Sequence, residues 1–323
     1  MSCYHPLIGI DTGEKTANGK KKIKIVKLEK NDKYSSIKDS GCILIPCGHC
    51  IVCRLDYSRR WADRMMLELD ECKKAIFITL TYDNEHAHWS QFYEDDSPMF
   101  ATLDKRDCQL FMKNLRERYK DIRIRFYLAG EYGEKTLRPH YHAIIFGISL
   151  DDISDKRQFG RNELGQPYYL SNNLSNVWKR GNVLVADVSW ETCAYVARYV
   201  TKKLNGDKEI SYAERNVIKE FALMSRKPGI GASYLEKHPD CLDYNYINLM
   251  TDKKGLKISI PKYFIKKLEL IDKEKYDNII LSRKRFAEDK MLLKLKNTDL
   301  GFANYLDMLE QDKLDDIKKL KRK

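Results

Sequence analysis

No stretch of this 323-residue chain stays apolar for long. None approaches the roughly 18 residues that a bilayer-crossing helix needs, and the N-terminus carries no apolar core of a secretory leader. A membrane partner is therefore not expected, and the chain reads as soluble and cytoplasmic. A phosphate-binding loop is missing too. Residues 13–21 read Gly-Glu-Lys-Thr-Ala-Asn-Gly-Lys-Lys, but the glycines stand one residue too far apart and the Ser/Thr is absent. No hydrophobic strand precedes them, so the chain should carry no nucleotide-driven motor. Strand separation would fall to another enzyme. The Lys/Arg-Gly-Phe/Tyr-Gly/Ala-Phe-Val pattern of RNA-recognition modules is also absent, as is any internal repeat.

What is present points to an anionic partner. The net charge is +12, and a hydrophobic content of 43% is enough for a core spread over two or three domains. Nine cysteines, an odd number with one tight cluster, suit a reducing compartment with metal-bound or free thiols.

The periodicities predict an α+β chain. Residues 11–40 are polar and lysine-rich, either a short hairpin or a loose arm. Apolar residues at helical spacing predict a helix over 57–74, and a β-rich run predicts a strand over 75–82. Asp104 is placed to cap the next helix. Strands are expected over 122–129 and 140–146, joined as an antiparallel hairpin, with an irregular insertion over 149–175. A further strand near Val183–Val185 precedes a helix over 190–204 capped by Ser189. The expected divisions are 1–74, a cysteine-rich region with its leading helix; 75–205, a catalytic domain; and 206–323, basic and mainly helical.

Chemistry concentrates in three places. His140 and His142 lie two apart at the head of an apolar, β-branched run, so a strand would turn both imidazoles to one side. Glu131, expected just past the preceding strand, could join them in a His-His-carboxylate set. Such donors with vacant positions suit Mg²⁺ or Mn²⁺ acting on a phosphate. Tyr195 and Tyr199 fall one turn apart on a helix, with Arg198, Lys202 and Lys203 nearby to hold a phosphate or lower a phenol pKa from about 10. Cys47, Cys50 and Cys53 repeat at C-x-x-C-x-x-C spacing, which suits a structural Zn²⁺ with Cys3, Cys42, His5 or His49 as the fourth ligand. Free thiols are the plain alternative.

In order along the chain, Phe77-Ile78-Thr79-Leu80-Thr81, His140-Tyr141-His142 and the paired tyrosines resemble the three motifs of HUH endonucleases that initiate rolling-circle replication. The chain is most similar to the initiators of gokushovirus-type microviruses, which are bacteriophages with circular single-stranded DNA. Those proteins share an early cysteine, the stretch Pro46-Cys47-Gly48-His49-Cys50-Ile51-Val52-Cys53, and Gly130-Glu131-Tyr132-Gly133 before the histidines. They share Tyr195-Val196-Ala197-Arg198-Tyr199-Val200, and Met224-Ser225-Arg226-Lys227-Pro228-Gly229-Ile230-Gly231 is similar to theirs as well. The resemblance weakens beyond Gly231.

It implies a five-stranded antiparallel, ferredoxin-like sheet flanked by helices. It implies Tyr195 and Tyr199 as nucleophiles, Lys202 or Lys203 as a phosphate or metal-water partner, and His140, His142 and Glu131 as ligands of Mg²⁺ or Mn²⁺. The implied reaction nicks single-stranded origin DNA, leaves a 5′-phosphotyrosine link and a free 3′ hydroxyl, and later rejoins ends. Host helicase and polymerase would be partners in the bacterial cytoplasm. Two other readings stand beside it: a non-catalytic single-stranded nucleic-acid binder, and a hydrolase using metal-bound water.

Overall fold

The computed structural model describes residues 3–90, 100–133, 136–162, 165–202, 212, 216–250 and 255–320; the side chains of 199–202 and 320 lie outside it. The chain packs as two compact units, Met1–Asp56 with Lys266–Lys323, and Tyr57–Ile265.

In the first unit the polar arm is a hairpin. Strands β1 (Leu7–Lys15) and β2 (Lys21–Lys27) are joined by a turn closed from Thr16 N–H to the Lys20 carbonyl at 2.7 Å. This turn occupies the segment that superficially resembles a phosphate loop. Helix α1 (Tyr34–Asp39) follows, and β3 (Ile43–Ile45) pairs with β1 in the order β2-β1-β3. Ile8, Tyr34 and Ile37 are buried against Met291, Phe302, Tyr305 and Leu306 of the helices Lys273–Lys296 and Phe302–Leu320. The start of helix α2 (Ile51–Cys72) also belongs to this unit, and residues 57–72 of α2 belong to the second.

The second unit is built on a seven-stranded antiparallel sheet. In chain order its elements are β4 (Ala75–Thr81), the short pair β5 (His88–Trp89) and β6 (Ala101–Thr102), and α3 (Lys105–Arg118). Then come β7 (Arg125–Tyr132), β8 (Pro139–Phe146), β9 (Arg157–Arg161), β10 (Pro167–Leu170) and α4 (Asn172–Trp178). β11 (Val183–Asp187), α5 (Trp190–Lys202) and β12 (Phe221–Met224) complete the frame. The strand order is β12-β7-β8-β4-β11-β10-β9. A separate hairpin, β13 (Tyr246–Met250) and β14 (Gly255–Ser259), lies farther along the chain.

Alternation divides the sheet into two unlike faces. Ile76, Ile78, Leu80, Leu128, Tyr141, Ala143, Ile145, Val183 and Val185 point to one side and bury against Phe111, Met112 and Leu115 of α3 and Trp178 of α4. Each large aliphatic residue fully buried there contributes about 1.5–3 kcal/mol. The opposite side carries Phe77, Thr79, Glu131, His140 and His142, under α2 and α5. Asp104 caps α3 by accepting from the Arg106 and Asp107 N–H groups.

Several expectations are corrected. The sheet has seven strands where five were expected, because the segment read as an irregular insertion supplies the β9–β10 hairpin at one edge. The region 206–323 is mainly helical among the described residues, as expected, and also carries the short strands β12, β13 and β14. The strand expected over 122–129 runs three residues later, so Glu131 sits inside β7 rather than past its end.

Candidate active site

Register sets the site. Across the β7–β8 ladder Glu131 stands directly opposite His140, and His142 stands opposite Ala129 on one side and Thr79 of β4 on the other. Period-2 geometry turns all the relevant side chains to the same face, and the diagonal Glu131–His142 pair is within reach of a long side chain. The Nε2 atoms of both histidines converge on one carboxylate oxygen, Glu131 Oε1, at 2.7 Å from His140 and 2.9 Å from His142. Glu131 and His142 are buried, at 4% and 6% exposure, and His140 is half-buried.

The remaining ring nitrogens are also engaged. His140 Nδ1 lies 3.1 Å from the Arg138 carbonyl and His142 Nδ1 lies 3.0 Å from Thr79 Oγ1. A carbonyl can only accept, so His140 Nδ1 carries its proton. A neutral His140 then offers Glu131 a lone pair rather than an N–H. The His140–Glu131 contact therefore calls for a proton or a cation between the two, whereas His142 can donate its Nε2–H to Glu131 with Thr79 Oγ1 donating to its Nδ1. Outer partners that fix the tautomer and aim Nε2 are what metal-binding histidines use. Three donor atoms within 4.8 Å of one another fit a divalent ion. Burial disfavours the Glu131 carboxylate, but hydrogen bonds from His140 and His142 and their charge outweigh it and hold the carboxyl below its ordinary range.

Helix α5 places Tyr195 beside this cluster. Its ring lies 5.1 Å from the His142 ring, edge to face, and 6.3 Å from Phe77, which stacks on His142 at 5.6 Å. Tyr195 is 39% exposed. Two bonds from α2 fix α5: Ser58 Oγ donates to the Ala194 carbonyl at 2.6 Å, and Trp190 Nε1 donates to Asp63 Oδ1 at 2.9 Å. Ser189 caps the helix by accepting from the Thr192 N–H at 3.2 Å. Tyr199 and Lys202 belong to α5, but their side chains lie outside the described residues, as does Lys203 altogether.

Several further residues act on the site through contacts that the sequence does not spell out. Thr79 and Phe77 orient His142. Arg138 locks the loop after β4, reaching Asn84 Oδ1 at 2.6 Å and the Tyr82 and Asp83 carbonyls. Gly181 passes so close to β4 that an added Cβ would lie 2.3 Å from the Thr81 carbonyl oxygen, and its φ of +138° excludes other residues. The segment following β12 is clamped by charge: Arg64 donates to the Ile230 carbonyl, Glu68 accepts from the Gly231 N–H at 2.6 Å, and Arg125 donates to the Pro228 carbonyl at 3.0 Å. Arg125 also pairs with Glu68 in the interior.

The other cluster lies in the first unit, where Cys3 joins Cys47, Cys50 and Cys53 with all four sulfurs within 4.8 Å. His5 instead meets Glu310, and Cys42 accepts from Ser40 Oγ. No helix among the described residues is long and apolar enough to cross a membrane.

A family model for replication-associated proteins of the ORF2 type matches residues 75–204, from β4 through α5. The replication-associated protein ORF2 of Spiroplasma virus 4 is 30% identical over 338 aligned positions, covering 99% of this chain and 97% of that protein. The replication-associated protein VP4 of Bdellovibrio phage phiMH2K is 33% identical over 72% of this chain and 70% of its own length. The replication-associated protein ORF4 of Chlamydia phage 1 is 28% identical over 72% of this chain and 55% of its own length. No solved structure matches the chain. With the whole of the chain alignable to a phage replication protein, and the matched core spanning the strands and helix just described, the chain belongs to the gokushovirus-type family of replication-associated proteins.

Proposed function

We propose that the chain is a rolling-circle replication initiator that nicks and rejoins single-stranded origin DNA through tyrosine. The observation that carries this reading is the convergence of His140 and His142 Nε2 on Glu131, with the Tyr195 ring 5.1 Å from His142. His140, His142 and Glu131 would hold Mg²⁺ or Mn²⁺, which when bound polarises a scissile phosphate. The hydroxyl of Tyr195 or Tyr199 sheds its proton and attacks phosphorus. The bond to the 3′ oxygen breaks, that oxygen takes up a proton to become the primer hydroxyl, and the 5′ phosphate stays on the tyrosine. One phosphodiester replaces another, so rejoining needs no nucleotide energy, in keeping with the missing phosphate loop. Lys202 and Lys203 would steady the phosphate or favour the phenolate.

Two tyrosines allow two transfers. After a round of copying, the second cuts the displaced strand while the first still holds its 5′ end, and the released hydroxyl closes the circle. On a helix the two lie about 6 Å apart along the axis. The expected ferredoxin-like domain corresponds in this reading to the five strands β12-β7-β8-β4-β11, with the β9–β10 hairpin as an addition. The net charge of +12 supplies phosphate affinity. Host helicase and polymerase act as partners, in the bacterial cytoplasm.

A denaturing gel after incubation with single-stranded origin DNA and Mn²⁺ separates the readings. A covalent protein–DNA band supports the proposal. Cleavage without a band points to a metal-bound water, and binding without cleavage to a passive binder; either would overturn it.

A further inference from the structure

The geometry of the cysteine cluster points to a second metal site of a different kind: we infer that Cys3, Cys47, Cys50 and Cys53 together hold one structural Zn²⁺. None of the nine cysteines is in a disulfide. The Cys3 and Cys47 sulfurs are 3.5 Å apart and those of Cys3 and Cys50 are 3.9 Å apart. A disulfide would bring two sulfurs to about 2.05 Å. Four sulfurs about 2.3 Å from one tetrahedral zinc would lie roughly 3.8 Å from one another. The observed spacings match that value. An iron–sulfur cluster is wider than a single ion and would hold its cysteines farther apart.

The backbone around the sulfurs is arranged for thiolates. The Cys47 N–H points to Cys3 Sγ and the Cys50 N–H to Cys47 Sγ, each at 3.3 Å. Thiols are weak acceptors, so N–H groups aimed at sulfur gain most when the sulfur is charged. Gly48, at φ +86°, takes the left-handed turn that brings Cys47 and Cys50 round to one point. α2 begins at Ile51, which places Cys53 in its first turn, where the helix dipole favours negative charge. Cys3, Cys50 and Cys53 are buried, so water competes little for the ion. Cys3 comes from 44 residues upstream of Cys47. The ion therefore ties the segment leading into β1 to the junction leading into α2, next to the β1–β3 ladder that pairs Leu7 with Ile45.

This assignment is independent of the proposed reaction, and its test reads metal and thiols rather than nicking. Full-length protein purified without chelator should contain one zinc per chain by elemental analysis. Cys50→Ser should lose most of it, whereas His140→Ala/His142→Ala should keep it. Because Cys50→Ser could fail to fold, the wild-type chain is also titrated with a thiol reagent. Stripping zinc with a chelator should add four reactive thiols, and Co²⁺ returned to the stripped protein should show tetrahedral thiolate absorption. Protein without metal whose four thiols react in the native state would overturn the assignment. So would iron in place of zinc, or zinc that leaves with the histidines instead of Cys50.

Discussion

Among the described residues the chain gathers two sets of metal-type donors, and they are built in opposite ways. Glu131, His140 and His142 come from two neighbouring strands whose register places them opposite one another. Cys47, Cys50 and Cys53 come from one loop-to-helix junction and recruit only Cys3 from elsewhere. With a metal bound, three nitrogen and oxygen donors would leave positions vacant for substrate, and an aromatic hydroxyl residue lies alongside. Four sulfurs would close a tetrahedron around zinc and leave nothing vacant. Donor number and type thus separate a site fit for chemistry from one fit for holding a fold together.

That contrast is broken most severely at His142. His142→Ala removes a donor and a stacking partner of Phe77, and nicking should fall by at least about 10³-fold, since several kcal/mol of charge stabilisation is lost. Most DNA affinity should survive, because it rests on Lys and Arg contacts to phosphate. Paired nicking and filter-binding assays check both halves.

Zinc removal should instead act on folding. The unit formed by Met1–Asp56 and Lys266–Lys323 should lose several kcal/mol of stability. Hydrogen exchange should rise in its strands β1 and β3 and stay nearly unchanged in β7 and β8. Equal exchange in all four strands with and without zinc would erase the distinction.

A finer probe is Thr79→Val, which keeps shape but removes the Nδ1 partner of His142. Loss of such an orienting bond should weaken Mn²⁺ binding about 10–100-fold, measured by titration, without unfolding the sheet.

The smallest effect concerns Asp63, which holds α5 through Trp190. Its carboxyl is pushed up by burial, against the opposing pull of the Trp190 N–H and Arg59. A raised carboxyl pKa means a contribution that is complete below the unfolded value near 3.8 and lost as pH rises through the folded one. Asp63→Asn keeps an acceptor for Trp190 and removes the buried charge. It should therefore gain up to about 1 kcal/mol at neutral pH, and denaturation across pH should show that gain vanishing below about pH 4.

What could be read in advance follows from periodicity. A two-residue repeat put both histidines on one face, and a hairpin brought Glu131 near them, although Glu131 proved to lie within β7. Cys3 with Cys47, Cys50 and Cys53 was the set the sequence favoured, beside Cys42, His5 and His49 as alternatives, and the fold brings those four sulfurs together. Thr79 and Phe77 stand in a motif of the sequence, but their contacts to His142 were hidden, because a strand's alternation says which side a residue faces and not which ring it will touch. The clamp of Arg64, Glu68 and Arg125 on residues 228–231 joins parts of the chain more than 100 residues apart, which no local pattern encodes. β12 escaped notice because Phe221–Met224 is four residues long and fits a helix as well as a strand. β9 is a short edge strand rich in charge (Arg157–Arg161), as edge strands tend to be, so it carries no apolar alternation to read.

The central claim is that a tyrosine of α5, beside the histidine pair, becomes bonded to DNA. Peptide mapping by mass spectrometry after reaction with single-stranded origin DNA and Mn²⁺ tests it directly. The account predicts a nucleotide linked through its 5′ phosphate to Tyr195 or Tyr199, weakened or moved to the other tyrosine in each single Tyr→Phe variant. The double variant should show no adduct. An adduct on any other residue, or full cleavage by the double variant, would contradict the account.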